Sequence, residues 1–233
     1  MIEFHFWPTP NAWKVGILLE ELGVDYRPVP VNIGKGEQFR PEFLAISPNN
    51  RMPAIVDHDV ECDPVSVFES GAIMWYLAEK AGRFLPTEPL ARKEVMEWLF
   101  WQVGGQGPMA GQLSHFVNYA PEDKGDYGKT RYRGEYERLL GVLDRRLEKR
   151  EWIVDEYSIA DMICWPWVFI AKPLTSSIEP FANVARWRNA MKARPAVQKA
   201  VDLGKEFRRQ APPSDEERKI LFEQNARSGN ALP

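Results

Sequence analysis

The chain is poor in the residues that usually carry redox or metal chemistry. It has 2 cysteines and 3 histidines among 233 residues. Cys62 and Cys164 stand far apart, so there is no CxxC pair for dithiol chemistry and no Cys/His cluster for zinc. If the protein does thiol chemistry, the thiol comes from outside, and no metal is expected. His5, His58 and His115 show no nucleophile or ligand spacing and receive no role. Long apolar runs are also missing: none approaches the roughly 20 residues that span a bilayer. The opening MIEFHF lacks the basic region and apolar core of a secretory signal. The expectation is a cytoplasmic protein without membrane attachment. Charge of one sign is lacking too: 30 Lys and Arg face 33 Asp and Glu, for a net −3. That balance removes any global pull toward nucleic acid or anionic lipid. Repeats and low-complexity segments are absent.

What is present is ordinary in bulk, with 44% apolar and 27% charged residues, but rich in tryptophan, with nine. Residues 2 to 6 alternate Ile2, Phe4 and Phe6 on one face, a strand pattern. Pro8 and Pro10 punctuate a turn. Val15, Leu18, Leu19 and Leu22 then fall at helical spacing, with Gly23 at the end. Tyr26 to Val31 reads as a second strand, and two apolar strands around one short helix predict a parallel βαβ unit. IGKGEQF is a loop, PEFLAIS a short helix or turn, MPAIVD a third strand and PVSVFE a fourth. Cys62 lies in the hairpin turn and reads as exposed. Ser70 to Ala81 reads as an amphipathic helix.

After Gly82 the strand signals mostly stop. Residues 91–118, 123–149, 158–171, 183–193 and 195–207 read as helices. The expected fold class is therefore an α/β domain followed by an all-α domain. The divisions are 1–82, a linker at 83–90, a helical domain at 91–207 and a tail at 208–233. In the tail, Asp215 to Ala226 has helical character and the last seven residues look loose. The glycine pair in WLFWQVGGQGPM costs about 1 kcal/mol per glycine in a helix, so it asks for a close neighbouring helix or a kink. In YSIADM, Ser158 and Asp161 stand in a capping-box relation, with Tyr157 and Met162 as a hydrophobic staple. Asp161 is thus structural rather than catalytic, and Cys164 one turn further is a buried apolar residue.

The runs PTPNAWK, NIGKGEQFRPEFLAISPNNRMPAIVD, FESGAIMWYLAEK, WLFWQVGGQGPM and YSIADMICWPW, in this order, resemble the cytosolic glutathione transferases. The resemblance extends to about residue 205. It is nearest the bacterial nu class and its fungal relatives, which include a nitrogen-regulatory prion protein. It implies a thioredoxin-like βαβ-ββα domain that binds glutathione, then a helical glutathione-transferase domain with an acceptor pocket and a dimer interface. In NRMPA it implies a cis bond before Pro53, so that Met52 offers its main-chain N–H and C=O to the cysteinyl part of glutathione. A bland turn is the alternative there. In FESGA it implies that Ser70, at a helix N-terminus, holds the γ-glutamyl carboxylate, while Glu69 meets the γ-glutamyl ammonium. Ser70 is a good cap in any case. Gln38 is implied at the glycyl end. Lys35 and Arg40 could add positive charge there, though Arg40 reads better as a solvated face. Asn49 and Asn50 shape the turn and Arg51 is exposed. Arg131 is implied as a long reach to the glutathione site, with Arg133 as its rival. Trp101, Met109 and Phe116 are candidate walls of the acceptor pocket, although aromatic stripes also build cores.

Other classes place Tyr, Ser or Cys after the first strand. Here Thr9 and Asn11 stand as candidate catalytic residues, donors that steady a glutathione thiolate, helped by a helix N-terminus. In the alternative they only shape the turn and cap the helix. The resemblance implies a homodimeric enzyme that uses glutathione, reduced or as its disulfide, to reduce small disulfides. Peroxidase and transferase activities toward peroxides or electrophiles are expected beside it. Two rivals remain: a conjugating or dehalogenating enzyme for one electrophile, and a non-catalytic glutathione-binding regulator.

Overall fold

The structure is a computed structural model that describes residues 1–61, 63–121, 123, 125–209 and 211–224. The expectations for Cys62 and for the last residues of the tail lie outside this set. Strand β1 (Ile2–Phe6) buries Ile2, Phe4 and Phe6, the alternate set marked by its pattern. Helix α1 (Pro10–Leu22) follows, with Thr9 at its N-cap and Pro10 in the first turn, where a missing N–H costs nothing. Gly23 ends it in the left-handed region at φ 67°, donating its N–H to the Leu19 carbonyl. Val15, Ile17, Leu18 and Leu19 are fully buried. Each such side chain contributes about 1.5–3 kcal/mol, so burial, not propensity, fixes α1 in place.

Strand β2 (Tyr26–Pro30) runs parallel to β1, from Ile2 opposite Tyr26 to Phe6 opposite Pro30. This is the βαβ unit expected. Pro28 and Pro30 are tolerated because β2 is an edge strand. Two 3-10 turns (Ile33–Lys35 and Glu37–Phe39) and α2 (Pro41–Leu44) lead to β3 (Ala54–Asp57), antiparallel to β1. Strand β4 (Val65–Phe68) pairs antiparallel with β3, giving the order β2-β1-β3-β4. Helix α3 (Ser70–Ala81) begins directly after it. Such a four-stranded mixed sheet with its βαβ-ββα order is the thioredoxin-like arrangement.

The chain divides into two compact units, residues 1–73 with those after 198, and residues 74–198. The second is helical: α4 (Pro89–Trp101), α5 (Gly107–Asn118), α6 (Asp126–Arg146), α7 (Ile159–Phe169) and α8 (Ala182–Ala193). Two expectations need correction. The helix read at 91–118 is interrupted by a π-helical turn, Gln102–Gln106, which contains the glycine pair. A Cβ on Gly104 would meet nothing within 4 Å, and one on Gly105 only Leu139 at 3.9 Å. No neighbouring helix of the described chain demands these glycines; the tight position is Gly107, where a Cβ would lie 2.8 Å from the Gln102 amide nitrogen. The helix read at 195–207 ends early, as α9 (Pro195–Asp202). Gly204 turns left-handed at φ 68° and a 3-10 turn, Lys205–Phe207, follows. A last helix, α10 (Asp215–Phe222), carries a capping box between Ser214 and Glu217.

Helix α7 is buried on every side from Ile159 to Val168, with Cys164 among them. Its capping box is formed as read: Asp161 accepts from the Ser158 N–H at 3.1 Å. Asp161 also accepts from the Ile153 N–H at 2.9 Å and from the Trp187 indole at 2.8 Å. Among the described residues no helix is long and apolar enough to cross a membrane.

Candidate active site

Strand register gathers the sequence-selected residues of the first unit at one end of the sheet. His5 faces Ala54, Ala54 faces Phe68, and Phe6 faces Pro30. The chain leaves this row at Trp7–Thr9, enters it at Met52–Pro53, and leaves it again at Glu69–Ser70 and at Val31. Four loops distant in sequence therefore converge because the strands between them are short and paired in this order.

Thr9 is the N-cap of α1, with extended φ −124° and ψ 158°, yet its hydroxyl makes no cap hydrogen bond. A capping threonine normally turns that oxygen onto the helix amides. Here the backbone alone starts the helix: Thr9 accepts from the Trp13 N–H at 3.0 Å through its carbonyl. Asn11 sits in the first turn, half-buried. The first N–H groups of α1 face the same end, so the region carries a positive helix pole.

The Met52–Pro53 bond is cis. Asn50 before it takes φ 47°, which asparagine tolerates, and Ser47 donates its hydroxyl to the Arg51 carbonyl at 2.9 Å. Among the described residues no hydrogen bond engages the main-chain N–H or C=O of Met52. Glu69 sits at φ 70°, a conformation unusual for glutamate that places Ser70 at the start of α3. Non-glycine residues held there cost about 1–3 kcal/mol and cluster at ligand sites. Asn49, read as a turn residue, does more: its amide donates to the Glu69 carboxylate at 3.2 Å. Nothing in its sequence context signals this, because the partner is twenty positions on. Lys14 was missed entirely. It is 2% exposed, and its ammonium lies 3.4 Å from the Ser70 hydroxyl oxygen.

Gln38 is also buried, at 2% exposure; its amide donates to the Ile33 carbonyl at 3.3 Å, and its side-chain oxygen has no partner. Lys35 is exposed. Arg40 pairs with Glu37 at 3.2 Å on the surface, as its reading suggested. The C-terminal residues add contacts with no sequence signal. Phe207 stacks on Trp7 with centroids 5.4 Å apart, Arg51 donates to Gln224 at 2.9 Å, and Glu217 lies against Gly34.

In the helical unit, Arg131 keeps 56% of its side chain exposed and lies 3.8 Å from Glu135, a loose ion pair. Its rival Arg133 is committed to Thr175. Phe116 stacks on Tyr132 at 5.5 Å and covers Gly128, so its ring fills the seam between α5 and α6. Trp101 packs edge-on against Trp98 at 4.9 Å, and Met109 is half-buried. Burial pushes the Asp161 carboxyl up to about 7, against the N–H donors that pull it down.

Comparison with known proteins agrees with this arrangement. Residues 1–79 match the glutathione S-transferase N-terminal domain and residues 111–195 the glutathione S-transferase C-terminal domain. The chain is 49% identical over 204 residues to the disulfide-bond oxidoreductase YfcG of Escherichia coli strain K12, covering 86% of this chain and 94% of that protein. It is 39% identical to the disulfide-bond oxidoreductase YghU of the same organism, covering 85% and 73%. The crystal structure of a glutathione transferase from Pseudomonas putida, with one glutathione disulfide bound per subunit, superposes with a TM-score of 0.82 at 41% identity, covering 87% and 91%. The chain belongs to the glutathione S-transferase family.

Proposed function

We propose that the chain binds glutathione at this end of the sheet, steadies its thiolate, and uses it to reduce small disulfides. The carrying observation is the Thr9 hydroxyl, which stands at the head of α1 without a cap bond. A cysteine-type thiol has a pKa near 8.5 and reacts as the thiolate. Donors and a positive helix pole favour that charged form. Thr9 and the Asn11 amide supply the donors, and the proton leaves to water. Met52 pairs with the cysteinyl main chain, Glu69 and Ser70 take the γ-glutamyl end, and Gln38 with Lys35 faces the glycyl end.

The reaction balances with substrate sulfurs alone. A glutathione thiolate attacks one sulfur of the disulfide, releasing one thiol and leaving a mixed disulfide. A second glutathione thiolate attacks the glutathione sulfur of that mixed disulfide, releasing the second thiol and glutathione disulfide. Two glutathiones are oxidised and one disulfide is reduced. The names of the Escherichia coli relatives and the glutathione disulfide in the Pseudomonas putida enzyme support this reading. So does the burial of Cys164 inside α7. A glutathione supply fits a cytoplasmic location.

We also assign the acceptor pocket to the helical domain at 91–207, with Trp101, Met109 and Phe116 as its walls. The glutathione domain is assigned to 1–82. Leu90 and Phe100 on α4 are 71% and 68% exposed and flank the exposed Lys93–Glu97 ion pair, a mixed face that fits a homodimer. The experiment is a side-by-side assay with glutathione and a small disulfide, a hydroperoxide and an aryl halide. Fastest turnover of the disulfide is expected. Turnover of the aryl halide alone would favour a conjugating enzyme, and glutathione binding without turnover of any would favour a regulator.

A further inference from the structure

Lysine is among the residues least often buried, and a buried one needs a compensating environment. Lys14 is 2% exposed in α1, a helix whose other buried members are apolar apart from Gly16. It lies one turn beyond the pole formed by Thr9 and Asn11, and its side chain runs to the start of α3. There its Nζ approaches the Ser70 Oγ at 3.4 Å, between residues 56 positions apart. Apolar packing does not require an ammonium there.

The direction of the contact has a chemical consequence. A lysine ammonium donates hydrogen bonds and accepts none, while a serine hydroxyl has one hydrogen to give. When Ser70 accepts from Lys14, its own hydrogen is left for a third group. Ser70 is the first residue of α3, where the opening N–H groups also lack intrahelical partners. An anion at that position receives the hydroxyl hydrogen, the helix amides and the nearby positive charge together. At 3.4 Å the contact is longer than an ideal hydrogen bond, so orientation and field matter more than the strength of the bond itself.

We propose that Lys14 is a positioning residue for the γ-glutamyl carboxylate of glutathione, acting through Ser70; this rests on the glutathione site assigned above. Lys14 does not touch the reacting sulfur. Its loss should therefore weaken binding of glutathione without changing the chemistry of bound glutathione.

The test compares KM and kcat for two thiols, glutathione and cysteinylglycine, which lacks the γ-glutamyl group. The variants are Lys14→Met, Lys14→Arg, Ser70→Ala and the Lys14→Met/Ser70→Ala double. For Lys14→Met the expected result is a rise of about tenfold in KM for glutathione, ~1.4 kcal/mol. Its kcat should stay within about twofold, and KM for cysteinylglycine should not move. Lys14→Arg should recover most of the loss, and the double variant should be less than the sum of its parts. Unchanged glutathione KM in Lys14→Met beside a raised KM in Ser70→Ala overturns the role of Lys14 and leaves the glutathione site standing. An equal loss for both thiols also overturns it, because the lysine then only supports the fold. Unchanged KM in both single variants overturns the site assignment as well.

Discussion

Asn49 holds the carboxylate of Glu69 through a 3.2 Å hydrogen bond that joins the loop before Pro53 to the start of α3. Two loops that approach adjacent parts of the proposed ligand, cysteinyl and γ-glutamyl, are thereby tied. Both partners are exposed, so the bond contributes little to stability. Its effect is on orientation. Asn49→Ala should raise KM for glutathione several-fold, with a smaller effect than Glu69→Gln, and leave the melting temperature nearly unchanged. Steady-state kinetics and thermal unfolding of the two variants check this.

Asp161 predicts a pH dependence of stability. Burial raises its carboxyl from near 3.8 to about 7 in the folded state. Between roughly pH 4 and 7 the folded chain holds a proton that the unfolded chain has released. The stabilisation from this group is therefore complete below about pH 4 and is lost as the pH rises through 7. Asp161→Asn, which cannot titrate, should flatten that part of the stability profile. It should also lower stability at pH 5, by about 1–3 kcal/mol, because its amide turns a donor toward buried N–H groups. Denaturant unfolding at a series of pH values measures both effects.

Gly204 is a position where shape excludes a side chain. It holds φ 68°, and a Cβ there would lie 2.8 Å from the Phe6 ring. Gly204→Ala should destabilise the protein by about 1–3 kcal/mol through backbone strain and the displaced ring. The Trp7–Phe207 stack lies just beside it, so tryptophan fluorescence should shift together with the loss of stability.

The homodimer proposal rests on the outer face of α4. A charge at Phe100 desolvates poorly in a buried interface. Phe100→Glu should produce monomers in sedimentation equilibrium while leaving the circular dichroism of the helices unchanged. A variant that remains as associated as the parent protein would remove this face as the interface.

Much of the fold was legible because burial writes period into sequence. Ile2, Phe4 and Phe6 alternate and are buried; Ser158 and Asp161 form the box that their spacing promised. The misreadings concern helix bounds near glycine. Gly104 and Gly105 left close packing or a kink open, and the chain widens into a π turn there that interrupts the helix read at 91–118. Gly204 looks tolerable inside a helix, but it ends one, because the Phe6 ring that crowds it is 198 positions away. At Met52–Pro53 the motif alone left a bland turn open; the family resemblance implied the cis bond that is present. Lys14 and the Asn49–Glu69 link were not legible, since a buried lysine at helical spacing looks like any solvated one. Its partner is set by strand order rather than by local pattern.

The central claim is that Thr9 and Asn11 steady a glutathione thiolate. It is tested most directly by following glutathione-dependent disulfide reduction against pH for the parent protein and the Thr9→Ala/Asn11→Ala variant. The parent should reach half its maximal rate well below the free thiol pKa near 8.5. The variant should turn over far more slowly at neutral pH, with its profile moved toward that value. Equal turnover and superimposed profiles would contradict the assignment.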